Sequence, residues 1–370
     1  MSEKIDAINL EELEQRARAA LHQMAYDYYA GGGNDEVTLH ENRAAYDRIS
    51  LLPHMLVDVS ARDLETTVLG ELVSMPILIA PTALQGLALP EGEVATTKAA
   101  GAAKTVMTIA TISTSSIEEA MAVATGPVWF QLYVFKDRSI SASLVRRAEE
   151  AGCKAIVLTV DVPVPGQRER DTRNRLTLPD NLSIKNLLPA GYQDLPKNVA
   201  GSGLAAYVAS QFDPALSWKD VLWLRGLTKL PVLVKGILRT DDARRAIDHG
   251  ASAIVVSNHG GRQLDTTPST ISVLPEIVDA VAGVVEVYLD GGIRRGTDVL
   301  KAIAYGARAV LVGRPVLWGL AVAGEAGVKF VLELLRKEFD AAMALSGCPS
   351  LTAITRDLVR PMSAPPSSAV

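Results

Sequence analysis

The stretch Ala253-Ile254-Val255-Val256-Ser257-Asn258-His259-Gly260-Gly261-Arg262-Gln263-Leu264-Asp265 decides how the rest of the chain is read. It opens as an apolar, β-branched run, the composition of a strand buried on both faces of a parallel sheet. It then breaks into Ser-Asn, a histidine, two glycines and an arginine. Neutral imidazole takes a proton near neutral pH, and a guanidinium grips a carboxylate through two parallel hydrogen bonds. Gly260 and Gly261 permit the tight turn that would aim both side chains at one point. The plainer reading is a β-to-α turn with a structural histidine and a solvated arginine.

Working outward, similar apolar runs recur at Pro76–Ala80, Val106–Thr111, Val128–Val134, Ala155–Val160, Val232–Lys235, Ala253–Ser257, Val285–Asp290 and Ala309–Val312. Helix-compatible stretches follow them at Glu91–Lys104, Ser116–Thr125, Ser139–Ala151, Trp218–Leu227, Asp241–His249, Thr270–Ala282 and Thr297–Tyr305, and a last long one at Val322–Leu345. Eight strands alternating with eight helices predict an α/β fold, a (β/α)8 TIM barrel. No Gly-x-Gly-x-x-Gly follows the first strand, which argues against a dinucleotide-binding sheet. Ahead of the barrel, a helix over Asn9–Ala30 should stop at Gly31-Gly32-Gly33, followed by a second helix and short extended pieces. The organisation expected is one domain: a helical N-terminal extension over 1–74, the barrel over 75–345, a lid insertion over 162–217 and a tail over 355–370. A connection as long as the lid, with little periodicity, belongs over an active face.

Of 370 residues 48% are hydrophobic, enough for a large core, and the net charge of −5 gives no electrostatic case for nucleic acid or an anionic membrane. Cys153 and Cys348 match no disulfide or metal framework, so no metal is expected and a reducing cytoplasm fits. The N-terminus is too acidic for a signal peptide, and no uncharged apolar run reaches membrane-spanning length.

Barrel chemistry sits at the strand C-termini. There the sequence places Pro81-Thr82-Ala83, Gln131 and Tyr133, Thr159 with Asp161, Lys235, Ser257 with His259, Asp290-Gly291-Gly292 with Arg294, and Gly313-Arg314. Of five histidines only His259 ends a strand. Lys235, closing an apolar strand, would want an anion: as a partner for a cofactor's developing charge, as a Schiff-base nucleophile, or in a barrel-mouth salt bridge. The glycine-arginine clusters after the last two strands read as a phosphate cradle, though tight turns alone would also explain the glycines. In the lid, Gln167-Arg168-Glu169-Arg170-Asp171 is either solvated charge or the source of an arginine reaching the site.

These motifs, with Asp27-Tyr28-Tyr29, Ala80-Pro81-Thr82-Ala83, Pro90-Glu91-Gly92-Glu93, Phe130-Gln131-Leu132-Tyr133 and Leu289-Asp290-Gly291-Gly292-Ile293-Arg294-Arg295-Gly296, resemble the FMN-dependent (S)-2-hydroxy-acid oxidase/dehydrogenase family over roughly Leu10–Ile354. The resemblance implies His259 as base, Asp161 as its orienting carboxylate, and Arg262 as the clamp on the substrate carboxylate, helped by Tyr28 and Arg168. Tyr133 would hold the substrate oxygen, and Ile112 and Leu84 would line the pocket, with the lid around Phe212 closing it. It implies FMN as cofactor, bound by Pro81, Thr82, Ala83, Gln131, Thr159, Lys235 and Ser257 at the ring, and by Asp290, Gly291, Gly292, Arg294, Gly313 and Arg314 at the ribityl chain and phosphate. It further implies a small 2-hydroxy-acid substrate, O2 reduced to hydrogen peroxide, and a homo-oligomer, tetramer or octamer. Where plant-type glycolate oxidases carry an aromatic residue, this chain reads Thr111-Ile112-Ser113, so L-lactate or a longer acid is expected ahead of glycolate. A dehydrogenase with another acceptor and a mandelate-type oxidase are the alternatives.

Overall fold

The computed structural model describes residues 5–190 and 210–362. Three helices come first: α1 (Leu10–Ala20), α2 (Gln23–Ala30) and α3 (Val37–Asp47). Two short strands, β1 (Ile49–Leu51) and β2 (Thr66–Val68), lead to β3 (Glu71–Val73), which pairs with β2. The barrel strands are β4 (Ile77–Ile79), β5 (Met107–Ile109), β6 (Val128–Leu132), β7 (Ala155–Thr159), β8 (Val232–Ile237), β9 (Ala253–Val256), β10 (Glu286–Asp290) and β11 (Ala309–Val312). They pair in parallel in sequence order and close through Val310 opposite Ile77, the (β/α)8 barrel that the apolar beat predicts.

Alternation along each strand separates two cores. Leu78, Val157, Leu233, Val255 and Leu311 point into the barrel, with Trp129 and Tyr288 edge-to-face at 5.5 Å. Val68 and Val73 join this inner cluster, so the β2–β3 hairpin covers the barrel's N-terminal mouth. That leaves the C-terminal mouth for chemistry. Ile77, Ile79, Ile156, Val234 and Ile254 face outward into the larger cluster formed with the helices.

The surrounding helices are α4 (Gly92–Ala102), α5 (Ile117–Met121), α6 (Arg138–Glu150), the short lid helix α7 (Glu169–Asn174), α8 (Trp218–Leu227), α9 (Thr240–Asp248), α10 (Thr270–Val281), α11 (Gly296–Ala304) and α12 (Arg314–Leu345). By length and composition α12 could cross a membrane, but it packs along α4, α11 and α1 and supplies core residues such as Trp318 and Phe339.

Four sequence expectations need correction. The single helix over Asn9–Ala30 is two, because Leu21 turns extended and His22 starts a new helix, its ring Nδ1 accepting from the Met24 N–H. A helical stretch that was not expected precedes the last one: Gly313 caps it, it opens at Arg314 with Pro315 in its first turn, and the non-helical Ala323 and Gly324 separate it from the run to Leu345 that matches the expected Val322–Leu345, so α12 is two stretches joined at a kink. The region beginning at 355 is not all tail, since β12 (Val359–Pro361) pairs antiparallel with β1. The lid contains α7, too short to show helical periodicity. The remainder of the tail, 363–370, and the lid segment 191–209 lie outside the described residues.

Candidate active site

His259 stands just past β9 in a left-handed conformation, φ 59°, followed by Gly260 at 64° and Gly261 at 73°. A non-glycine residue held there costs on the order of 1–3 kcal/mol, a strain that clusters at functional sites. At Gly261 space as well as φ requires glycine, whereas at Gly260 only the end of a side chain stands close. A Cβ on Gly261 would lie 2.6 Å from the Leu39 backbone nitrogen, and one on Gly260 would lie 2.9 Å from Arg314 Nη1. The loop is fixed from beneath by Asn258, whose side chain exchanges two hydrogen bonds with Asn42 of α3 and accepts from the Gly261 N–H. Asp265 caps α3 by accepting from the Val37 and Thr38 N–H groups. The N-terminal extension is therefore part of the site's frame.

His259 Nδ1 lies 2.9 Å from Asp161 Oδ1, just past β7, and Nε2 lies 3.3 Å from the Tyr133 hydroxyl beyond β6. With Nδ1–H donated to the carboxylate, Nε2 is left with its lone pair toward the cleft. Burial pushes the Asp161 pKa up, but His259 and, more weakly, Lys235 outweigh it and hold the group below its usual value. Asp161 is thus an anion that orients the ring. Burial, with Asp161 nearby, raises the Tyr133 pKa, which keeps the phenol protonated as a donor. Phe212 stacks on the Tyr133 ring at 4.4 Å and closes that side.

The cations gather opposite. The guanidiniums of Arg262 and Arg168 lie over the Tyr28 ring at 5.1 and 5.6 Å. Arg262 donates to the Gly31 carbonyl, and Arg314 donates to the carbonyls of Tyr29, Gly31 and Gly260. Burial lowers the Arg262 pKa, and Arg168 lowers it further. Burial, Arg262 and Arg294 push Arg314 down to about 9. Arg294 is lowered too, by burial first. Half-buried guanidiniums that repel one another across a cleft create a demand for anions.

Lys235 is buried at a β8 irregularity, where the register with β9 shifts between Lys235 and Ile237. Its Nζ lies 2.9 Å from Asp290 Oδ2 and donates to Ser257 Oγ at 2.8 Å. Burial works against its charge, but Asp290 and Asp161 raise its pKa, so it stays an ammonium. Gln131 accepts from the Thr111 N–H and donates to Thr159 Oγ1, tying together three strand ends. Asp290 Oδ1 is buried without a partner. At Gly292, φ 81°, a Cβ would sit 2.0 Å from the Asn42 carbonyl oxygen. Inward amides and hydroxyls, a buried ammonium and two half-buried arginines beside glycine turns match a flat polar ring system carrying a phosphate, so the residues fit FMN.

The structure brings Tyr28, Pro81, Thr82, Ala83, Ile112, Gln131, Tyr133, Thr159, Arg168, Lys235, His259, Arg262, Asp290, Gly291, Gly292, Arg294, Gly313 and Arg314 around one cleft. Asp161 and Ser257 stand behind this lining, reaching it through His259 and Lys235. Leu84 is a correction. Its φ of 56° and a hydrogen bond from its N–H to the Ile112 carbonyl turn it into the core, where it is fully buried. Sequence reasoning missed Ala110, Val162, Pro165, Ile293 and Leu317 in the lining, and the Tyr29 and Gly31 carbonyls that seat the arginines. Backbone carbonyls leave no mark in side-chain identity.

The family model for FMN-dependent dehydrogenases matches residues 17–361. The chain is 56% identical over 348 residues to an L-lactate oxidase of Nostoc sp., covering 93% of this chain and 95% of that protein. It is equally 56% identical, over 350 residues, to glycolate oxidase 1 of Zea mays, covering 94% of each. Among solved structures, mandelate oxidase with (S)-4-hydroxymandelic acid superposes with a TM-score of 0.91 at 48% identity, covering 96% of this chain and 98% of that one.

Proposed function

The chain belongs to the FMN-dependent dehydrogenase family, and from that premise we propose that it oxidises (S)-2-hydroxy acids to 2-keto acids, with L-lactate or a longer acid preferred over glycolate and oxygen as the final acceptor. The balance is R-CH(OH)-COO⁻ plus O2 giving R-CO-COO⁻ plus H2O2. When bound, FMN would supply the two-electron acceptor; the strand-end polar groups would hold its ring, and Arg294 and Arg314 its phosphate.

The observation that carries the reading is the Asp161–His259–Tyr133 line beside the Arg262–Tyr28–Arg168 stack. Arg262 and Arg168 bind the substrate carboxylate, Arg262 by its bidentate fork. That anchor turns the 2-hydroxyl toward Tyr133 and His259. His259 Nε2 takes the proton, and the charge that forms on the ring is stabilised by Asp161 on Nδ1. The buried Lys235 ammonium, held by Asp290 and Ser257, would be the group to support negative charge developing on a bound flavin. Tyr133, kept protonated, holds the substrate oxygen while it becomes a carbonyl.

Chain-length preference rests on Ile112, which lines the cleft together with Ala83 and Phe212. An aliphatic wall leaves apolar room on the Cα side. Each methylene buried there contributes about 0.8 kcal/mol, and such pockets discriminate one methylene by roughly 10–200-fold. The test is kcat/KM for glycolate, L-lactate, L-2-hydroxybutyrate and (S)-mandelate in air, with oxygen uptake, peroxide and keto acid measured together. An optimum at L-lactate or beyond with stoichiometric peroxide is expected. An optimum at glycolate refutes the pocket reading, and turnover that needs a dye refutes the oxygen half-reaction.

A further inference from the structure

On the lid helix α7, one turn beyond Arg168, lies a carboxylate that the reaction above does not use. Asp171 Oδ2 stands 3.2 Å from Arg168 Nε, the two side chains 16% and 24% exposed. This oxygen is enclosed yet accepts no hydrogen bond, so the contact is one of charge more than of a directed bond. An enclosed carboxylate oxygen without a donor is costly and calls for an explanation. Burial raises the Asp171 pKa, Arg168 and Arg262 pull it back down, and Asp27, itself 3.8 Å from Arg170, adds weakly to the rise. Arg262 in turn is disfavoured by Arg168 and supported by Asp171. The three groups form one electrostatic unit. The other charges at the substrate end are paired, His259 with Asp161 and Lys235 with Asp290.

We propose that Asp171 is a positioning residue that sets the substrate charge this site accepts: by offsetting one of the two guanidinium charges of Arg168 and Arg262, it leaves a single positive charge, matched to a monocarboxylate. The contact also engages Arg168 through Nε, which leaves the terminal Nη pair to meet an incoming carboxylate. A 2-hydroxy dicarboxylate brings a second negative charge into the same half-buried space, where Asp171 repels it. This inference rests on the 2-hydroxy-acid reading and adds the rule by which that site chooses among such acids.

The test uses FMN-loaded wild type, Asp171→Asn and Asp171→Glu. Acetate and oxalate, a monoanion and a dianion that are not 2-hydroxy acids, are titrated against the oxidised flavin spectrum. Removing one unit charge at this range should raise the preference for oxalate over acetate about tenfold in Asp171→Asn, and Asp171→Glu should restore the wild-type ratio. The ratio of kcat/KM for (S)-malate over L-lactate should rise in parallel. If Asp171→Asn loses FMN on purification, Asp171→Ser serves the same comparison. An unchanged oxalate-to-acetate ratio, or equal weakening of both anions, overturns the proposal. A wild type that binds both anions but is not bleached by L-lactate sinks the reading of the reaction instead and leaves the charge rule standing.

Discussion

Replacing Asp161 by asparagine probes how much of the chemistry depends on the orientation of one ring. The carboxylate sits 2.9 Å from His259 Nδ1, and its side chain is only 14% exposed. A hydrogen bond to a charged group of this kind is worth about 1.5–3 kcal/mol, or one to two decades in rate at about 1.4 kcal/mol per decade. A second effect adds to this. If the new amide donates to Nδ1, the ring proton moves to Nε2 and the base is occupied, a change that in comparable carboxylate–histidine pairs costs up to ~10⁴-fold. Anaerobic stopped-flow reduction of the flavin by L-lactate should therefore fall by ~10²–10⁴-fold in Asp161→Asn. The substrate's Kd should change little, because Asp161 stands behind His259 and away from the arginines. FMN should stay bound and show whether the variant folds. A reduction rate within threefold of wild type, with FMN in place, would refute the assignment of Asp161 as the orienting group.

Other expectations follow from the same geometry. Arg262→Lys keeps the charge but loses the fork, so both substrate affinity and flavin reduction should fall; unchanged kinetics would place the anchor elsewhere. Ile112→Trp should narrow the cleft and move the kcat/KM optimum toward glycolate, and an unmoved optimum would show that Ile112 does not set chain length. Gly292→Ala forces a Cβ to within 2.0 Å of the Asn42 carbonyl at a left-handed φ, so the variant should purify with less FMN and a lower Tm, which absorbance and thermal melting would read together. The Asp161 pKa is lowered on folding, so its contribution to stability is present above the ordinary aspartate value of about 3.9 and is lost as pH falls through the folded value. The melting temperature of wild type should drop on that acid limb, and Asp161→Asn should flatten it.

Much of this was legible in the sequence, for a physical reason. Strands buried on both faces must be continuously apolar, so the run Ala253–Ser257 marks β9 (Ala253–Val256) almost to the residue, and the polar residues ending such runs have to lie at the barrel mouth. His259, Asp161 and Lys235 were found this way, from three separate strands. What stayed hidden depended on local geometry or on distant partners. The break between α1 and α2 falls within an unbroken apolar stripe and is made by the His22 ring capping the second helix. Leu84 follows Thr82 and Ala83 into what looked like pocket, but its left-handed turn reverses it into the core. Asn42 and Arg43 sit in an ordinary helix, and only the fold shows Asn42 holding the His259 loop while Arg43 pairs with Asp298 beneath the Arg294 turn. Asp171 looked like one more charge in a charged lid, because the enclosure of its Oδ2 has no signature in composition.

The most direct test mixes FMN-loaded wild type and His259→Gln anaerobically with L-lactate and follows the flavin absorbance. The wild type should bleach and yield one pyruvate per flavin, whereas His259→Gln should keep its FMN, since the side chain faces the substrate end of the cleft, and bleach at least ~10²–10⁴-fold more slowly. A wild type that no 2-hydroxy acid bleaches, or a His259→Gln that bleaches at the wild-type rate, would contradict the account.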